Sequence, residues 1–202
     1  MNDVFTYIID EPTVNKKEIM RYMGAKPNDD LDGIIDRCLS EAKGILSYTV
    51  CGITLPVEIS GNRIILPQST LISDNLAKNL SGCESVMIFA ATVGVGIDRL
   101  IAKYSRISPS SALCFQAIGA ERVEALCDEF CNRQTKKLAE DGLKLKPRFS
   151  PGYGDLPLET QKMIFSLLNC PKRIGVTLGD SLLMSPSKSV TAFAGITRCK
   201  VV

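Results

Sequence analysis

The chain has 202 residues, with 24 Lys and Arg against 22 Asp and Glu, a net charge of +2 and 45% apolar residues. So weak a basic bias gives no basis for a nucleic-acid or membrane-surface partner, and no stretch reaches the ~18 uncharged apolar residues of a membrane helix. There is no histidine, which removes Ser-His and Cys-His catalysis, the His-based zinc motifs and any imidazole ligand to a haem or corrinoid metal.

In chain order, the opening "MNDVFTYIIDEP" is acidic and lacks the basic start and apolar run of a signal peptide, so the expected compartment is the cytoplasm. "DDLDGIIDRCLSEAKGIL" carries Leu31, Ile34, Ile35, Cys38, Leu39, Ala42, Ile45 and Leu46 on one stripe of period 3.6. It predicts a helix capped by Asp29 or Asp30. "LPVEISGNRIILP" predicts a hairpin turning at Ser60-Gly61-Asn62, "STLISDNLAKNL" a short helix, and "SVMIFAATVG" a strand buried on both faces. "GVGIDRLIAKYS" predicts a helix opening on Gly94 and Gly96. The third glycine of a dinucleotide fingerprint is missing, so a tight strand-to-helix turn is the simpler expectation, with close approach to a ligand the alternative.

"SPSSALCFQAIGAERVEALCDEFCNRQTKKLAEDG" predicts a long helix with Ala117, Ala120, Val123, Leu126, Cys127 and Phe130 on its apolar stripe and Gly142 as its stop. The helix "LETQKMIFSLLN" and a terminal strand "VTAFAGI" follow. Without a regular βαβ rhythm the expected class is α+β, one domain over 1–202 with a mixed or antiparallel twisted sheet flanked by helices. The eight cysteines are scattered through apolar segments, as reduced buried thiols are. Cys127 and Cys131 are four apart on the long helix, but two ligands do not close a metal site, and no metal is expected.

The stiffest stretch is "RFSPGYGDLPLETQ", 148–161. Pro147 and Pro151 bias it toward extended backbone, and Gly152 permits positive φ or close approach of a ligand. Arg148 offers a planar fork for a carboxylate or phosphate, and Tyr153 an aromatic face for a purine or a cation. Carboxylate, purine and cation together describe S-adenosylmethionine and fit a nucleotide less well; a rigid connector with Tyr153 packed on the core is the plain alternative. A ligand site here requires an open cavity beside the segment. With no histidine, the hard chemistry would belong to a cofactor or a partner.

"RFSPGY" resembles the R-x-x-x-G-Y motif of the activation domain of cobalamin-dependent methionine synthase. "GVTLGDSLLMSPSKSV" is similar to that family's downstream segment through Gly175, Leu178, Asp180, Ser181, Met184, Pro186, Ser189 and Val190, and "GAERVEALCDEF" to its long Ala- and Glu-rich helix. The likeness covers residues 80–195 as an S-adenosylmethionine-binding core, and 1–80 more loosely. It implies that Arg148 grips the methionine carboxylate, the Ser150 backbone meets the adenine, Gly152 shapes the loop and Tyr153 lines the pocket. It assigns Glu129 to the ligand's amino or ribose groups. Met184 and Ser189 are equally readable as core. The resemblance implies binding of S-adenosylmethionine, cobalamin carried only by partner methionine synthase modules, and a flavodoxin-like electron donor. Methyl would pass from S-adenosylmethionine to cobalt held by the partner, with no catalytic residue needed from this chain. The family's later Tyr-Tyr pair and C-terminal helices have no counterpart before Val202, which leads to the expectation of an accessory protein acting in trans. The alternatives are an activator or methyltransferase component for another corrinoid protein, and a docking module without ligand binding.

Overall fold

A computed structural model describes residues 3–26 and 30–199. Its centre is a five-stranded sheet in which each strand runs antiparallel to its neighbours, in the order β1 (Phe5–Ile8), β2 (Thr49–Pro56), β6 (Ser85–Thr92), β10 (Ser189–Arg198) and β7 (Leu143–Leu145). The period-two alternation of β6 sorts its side chains cleanly. Met87, Phe89 and Ala91 join one apolar cluster, and Val86, Ile88 and Ala90 join the other.

The first cluster is closed by α1 (Lys16–Tyr22), α2 (Asp32–Ala42), α4 (Gly96–Ile107) and the 31-residue α5 (Pro109–Ala139). The second is closed by a small sheet of β3 (Glu58–Ser60), β4 (Arg63–Leu66) and β5 (Ser69–Ile72), with α3 (Asp74–Asn79), α6 (Thr160–Leu168) and α7 (Cys170–Ile174). A two-strand hairpin, β8 (Thr177–Leu178) with β9 (Met184–Ser185), precedes β10. The fold is therefore α+β with an antiparallel sheet flanked by helices, as expected.

Several local expectations need correction. Asp30 does not cap α2, and Asp29 lies outside the described residues. The N-cap position is Leu31, with no side-chain hydrogen bond, and the acidic first-turn residue is Asp32. That helix ends at Ala42 because Gly44 takes a positive φ of 74°, which leaves Ile45 exposed rather than on the stripe. "STLI" is the strand β5, not helix. Its β-branched residues pair with β4, and Ser73 then caps α3 by accepting from the Leu76 amide. Ala120 is only half-buried on α5.

The glycines at 94 and 96 belong to a tight turn. A side chain on Gly94 would strike Ser47, and one on Gly96 would strike the backbone of Ile45, so the space above both is filled by the chain itself. Met184 packs on the second cluster, and the Ser189 hydroxyl sits between the Thr92 hydroxyl and the Pro186 carbonyl, 2.8 Å from each.

Two charged residues on α5 are withdrawn from solvent. Arg122 is fully buried and Glu121 nearly so. The guanidinium donates to both carboxylate oxygens of Glu121, and to the backbone carbonyls of Pro12 at 2.6 Å and Thr13 at 2.8 Å. Glu121 in turn accepts the Asn15 amide at 2.9 Å. Burial opposes the charge on Arg122, and Glu121 more than offsets it, so its pKa is raised. Removing one member of such a pair strands the other, at a cost of about 3–5 kcal/mol. Glu121→Ala is expected to lower unfolding free energy in urea by roughly 3 kcal/mol and to expose residues 9–15 to protease. The double change Glu121→Leu with Arg122→Met is expected to recover most of the loss.

Candidate functional site

The proline-stiffened segment 146–155 straddles the short helix α3. At one end, the Lys146 ammonium donates to the Asn79 carbonyl at 3.0 Å and to the Ser81 carbonyl, and the Pro147 carbonyl accepts from the Asn79 side chain at 3.3 Å. At the other end, the Asp155 carboxylate accepts from the amides of Asp74 at 2.6 Å and Asn75 at 3.2 Å, and from the Ser73 hydroxyl. A cation thus meets the carbonyl end of the helix and an anion its amide end, the favourable arrangement for both. Between these anchors, Phe149 exchanges both backbone hydrogen bonds with Phe193 of β10 at 2.8 Å, and the Lys146 amide donates to Gly195 at 2.7 Å. Gly152 takes φ +86° and donates to the Leu156 carbonyl at 2.9 Å. The loop is rigid because each turn of it is tied to a separate element.

Beside this loop lies a cavity of about 760 Å³, walled by Arg148, Ser150 and Tyr153 on one side and by Glu124, Asp128 and Tyr22 on the other. Drug-sized ligands occupy roughly 300–1,000 Å³. Gly152 shapes the loop without being one of the wall residues. Tyr153 is 73% exposed, its ring edge-on to that of Phe149 at 6.3 Å, which leaves a face open for stacking. A second cavity of about 490 Å³ shares Tyr22, Glu124 and Asp128 with the first, so the two form one trough divided by those side chains. Glu129 lies on the wall of this second cavity, bonded to Arg133 at 2.6 Å, and not on the wall of the first.

The Arg148 guanidinium is engaged. One nitrogen reaches Asp128 at 2.6 Å and Glu124 at 3.1 Å, both on α5. Burial would lower its pKa, and the neighbouring negative groups outweigh that and raise it, so the fork stays charged. Cys131 also lines the cavity, and burial pushes its thiol up to about 11, so it is protonated at neutral pH. Among the described residues no group of three or more Cys, Asp or Glu is placed to hold a metal ion.

Sequence reasoning brought out Arg148, Ser150 and Tyr153, which the fold gathers at one cavity. It missed Glu124, Asp128 and Tyr22. The acidic pair carried a usable signal, since residues four apart on a helix share a face. Tyr22 carried none, because only the packing of α1 on α5 brings it near the loop.

The architecture is an α+β domain with a ligand-sized trough where the central sheet, its longest helix and a stiff loop meet. The family model described as the vitamin B12-dependent methionine synthase activation domain matches residues 62–197, and the chain belongs to that family. The match begins upstream of the residues that carry the motifs. A solved structure, the MetH reactivation domain bound to AdoHcy, superposes with a TM-score of 0.66 at 15% sequence identity, covering 99% of this chain and 80% of that one. At that identity the likeness is one of fold. No helix among the described residues is long and apolar enough to cross a membrane.

The Ser73 hydroxyl, then the Asp74 and Asn75 amides, hold the Asp155 carboxyl below the ordinary aspartate range. A depressed carboxyl adds stability that is complete above its unfolded pKa of about 4 and is lost as pH falls through the folded value. Asp155→Asn is therefore expected to lower the melting temperature at pH 7. The gap from the unsubstituted protein should narrow below about pH 4, as a melting series from pH 7 to 3 would register.

Proposed function

We propose that the protein binds S-adenosylmethionine in the trough beside 148–153 and supports reductive remethylation of cob(II)alamin carried by a separate methionine synthase. The carrying observation is that Arg148, Ser150 and Tyr153, three of the positions in the family's R-x-x-x-G-Y motif and its neighbourhood, wall one cavity of about 760 Å³. Its donor set fits the ligand. Arg148 suits the α-carboxylate, the Ser150 backbone and the Tyr153 ring suit the adenine, and Gly152 gives the loop its turn. Glu129, on the adjoining cavity, is a candidate for the amino or ribose groups.

When bound, S-adenosylmethionine supplies the methyl group, which a cobalt centre on the partner accepts after gaining one electron from a flavodoxin-like donor, leaving S-adenosylhomocysteine. The task left to this chain is positioning, since an in-line transfer to a metal nucleophile needs no protein base. That agrees with a chain that has no histidine and hence no imidazole to offer cobalt. The expected setting is cytoplasmic, as one domain over 1–202 acting in trans on cobalamin-binding modules.

A docking-only role draws on a different observation. Arg148 is already paired with Glu124 and Asp128, and a fork so engaged could serve structure alone. Titration calorimetry with S-adenosylmethionine separates the two. The protein should bind, and Arg148→Ala should bind at least about tenfold more weakly, the loss of a charge-assisted pair. Equal binding by the variant would remove the arginine role, and no heat from either protein would leave docking alone. The activity follows from mixing a cob(II)alamin-trapped methionine synthase that lacks its own activation domain with reductant and S-adenosylmethionine. Methylcobalamin absorbance should return only when this protein is added.

A further inference from the structure

The trough is unevenly charged. Its second cavity is lined by five carboxylates, of Glu18, Glu121, Glu124, Asp128 and Glu129. Three of these have an arginine that no other carboxylate of the cavity shares: Glu18 has Arg21 at 2.7 Å, Glu121 has Arg122, and Glu129 has Arg133 at 2.6 Å, which also reaches Asp10, outside the cavity wall, at 3.8 Å. Glu124 and Asp128 instead share the single guanidinium of Arg148. Lys146, the other cation on the wall of the first cavity, has its ammonium committed to the carbonyls of Asn79 and Ser81. Those carbonyls are neutral, so Lys146 keeps its charge and the lining of the first cavity balances as a whole; the imbalance is local, two α5 carboxylates against the one guanidinium of Arg148. Asp128 is 66% exposed and Glu124 44%, so both present a free face toward an incoming group, while Arg148 at 22% is the recessed member.

We propose that Glu124 and Asp128 make the site charge-selective, favouring a sulfonium nucleoside over the thioether that remains after methyl transfer. The proposal rests on the S-adenosylmethionine reading above and adds the specificity. S-Adenosylmethionine carries a carboxylate, an ammonium and a sulfonium, for a net charge of +1, which complements the two carboxylates that share one guanidinium. S-Adenosylhomocysteine lacks the sulfonium charge and is neutral overall. When Arg148 turns part of its fork to the ligand's carboxylate, the two α5 carboxylates lose some of their counter-charge, and the ligand's cationic centres can replace it. A neutral thioether replaces less. The same residues that hold Arg148 in place would then favour release of the product over the methyl donor. That role belongs to positioning and specificity, not to the transfer step.

The test is titration calorimetry of the full chain with both ligands, at low salt and at about 0.5 M salt, where exposed charges are screened. The protein should bind S-adenosylmethionine on the order of three- to tenfold more tightly than S-adenosylhomocysteine at low salt, between the worth of an exposed and a half-buried charge contact. The ratio should shrink at high salt. In Asp128→Asn and in Glu124→Gln it should fall toward one, with affinity for S-adenosylhomocysteine changed less than about twofold, because each amide keeps an acceptor for Arg148. A ratio near one in the unsubstituted protein would overturn the proposal. So would a ratio that survives both substitutions, or an equal weakening of both ligands, which would mark the pair as mere support for Arg148. Absence of binding by either ligand to the unsubstituted protein would instead defeat the underlying ligand reading.

Discussion

A charge pair kept out of water sets the geometry of one whole side of the molecule. Glu121 and Arg122 are neighbours on α5, yet both turn inward to meet the backbone of residues 12, 13 and 15. In energy such a pair is close to break-even against apolar packing, so its value lies in allowing one arrangement only. It fixes the strap that leads into α1, and α1 delivers Tyr22 to the trough. The Tyr48 hydroxyl, donating to Glu11 at 3.1 Å, fastens the same strap to the start of β2. A wall of the candidate site is thus built from the beginning of the chain, more than a hundred residues from the loop it faces.

The opposite wall is held by a different device. Prolines keep segment 146–155 from joining a sheet along its length, and the backbone groups it would have spent there go to separate anchors. Only Phe149 enters a ladder, as a single bridge to Phe193. The Lys146 amide adds a tie to Gly195, Arg148 reaches α5, and further ties run to the two termini of α3, with charges matched to the helix ends. Stiffness here comes from distributed single contacts, and it leaves Arg148 and Tyr153 projecting from a backbone that has little freedom to follow them.

Local patterns in the sequence carried much of this fold. The hairpin from "VEI" to "RIIL" and the unbroken apolar run of β6 were readable from turn residues and apolar content, although Ser60, expected in the turn, ends β3. The length of α5 was readable from its pattern, although the stripe understated how much of the helix is buried. Glu121 and Arg122 are buried too, and no periodicity rule expects charge there. The elements passed over were β1, β2, β7, β8, β9, α1 and α7. β1, β7 and α7 are too short for a period to register. β2 contains Gly52, which looks like a break in a strand. In the fold the Phe5 ring lies against it, and a side chain at 52 would come within 2.6 Å of that ring, so glycine is there to admit the aromatic. Of the site, the motif loop was legible because its composition is rare, whereas Tyr22 depends on tertiary packing and left no local trace.

The last long strand supplies the framework for residues made long before it. β10 lies between β6 and β7, and both the single bridge at Phe149 and the Lys146 tie end on it. A growing polypeptide that has reached Tyr153 already contains the arginine, the tyrosines and the carboxylates of the trough, but nothing yet to hang the loop on. Assembly of the cavity therefore waits on nearly the whole chain, and a nascent or C-terminally clipped form would carry its side chains without its shape.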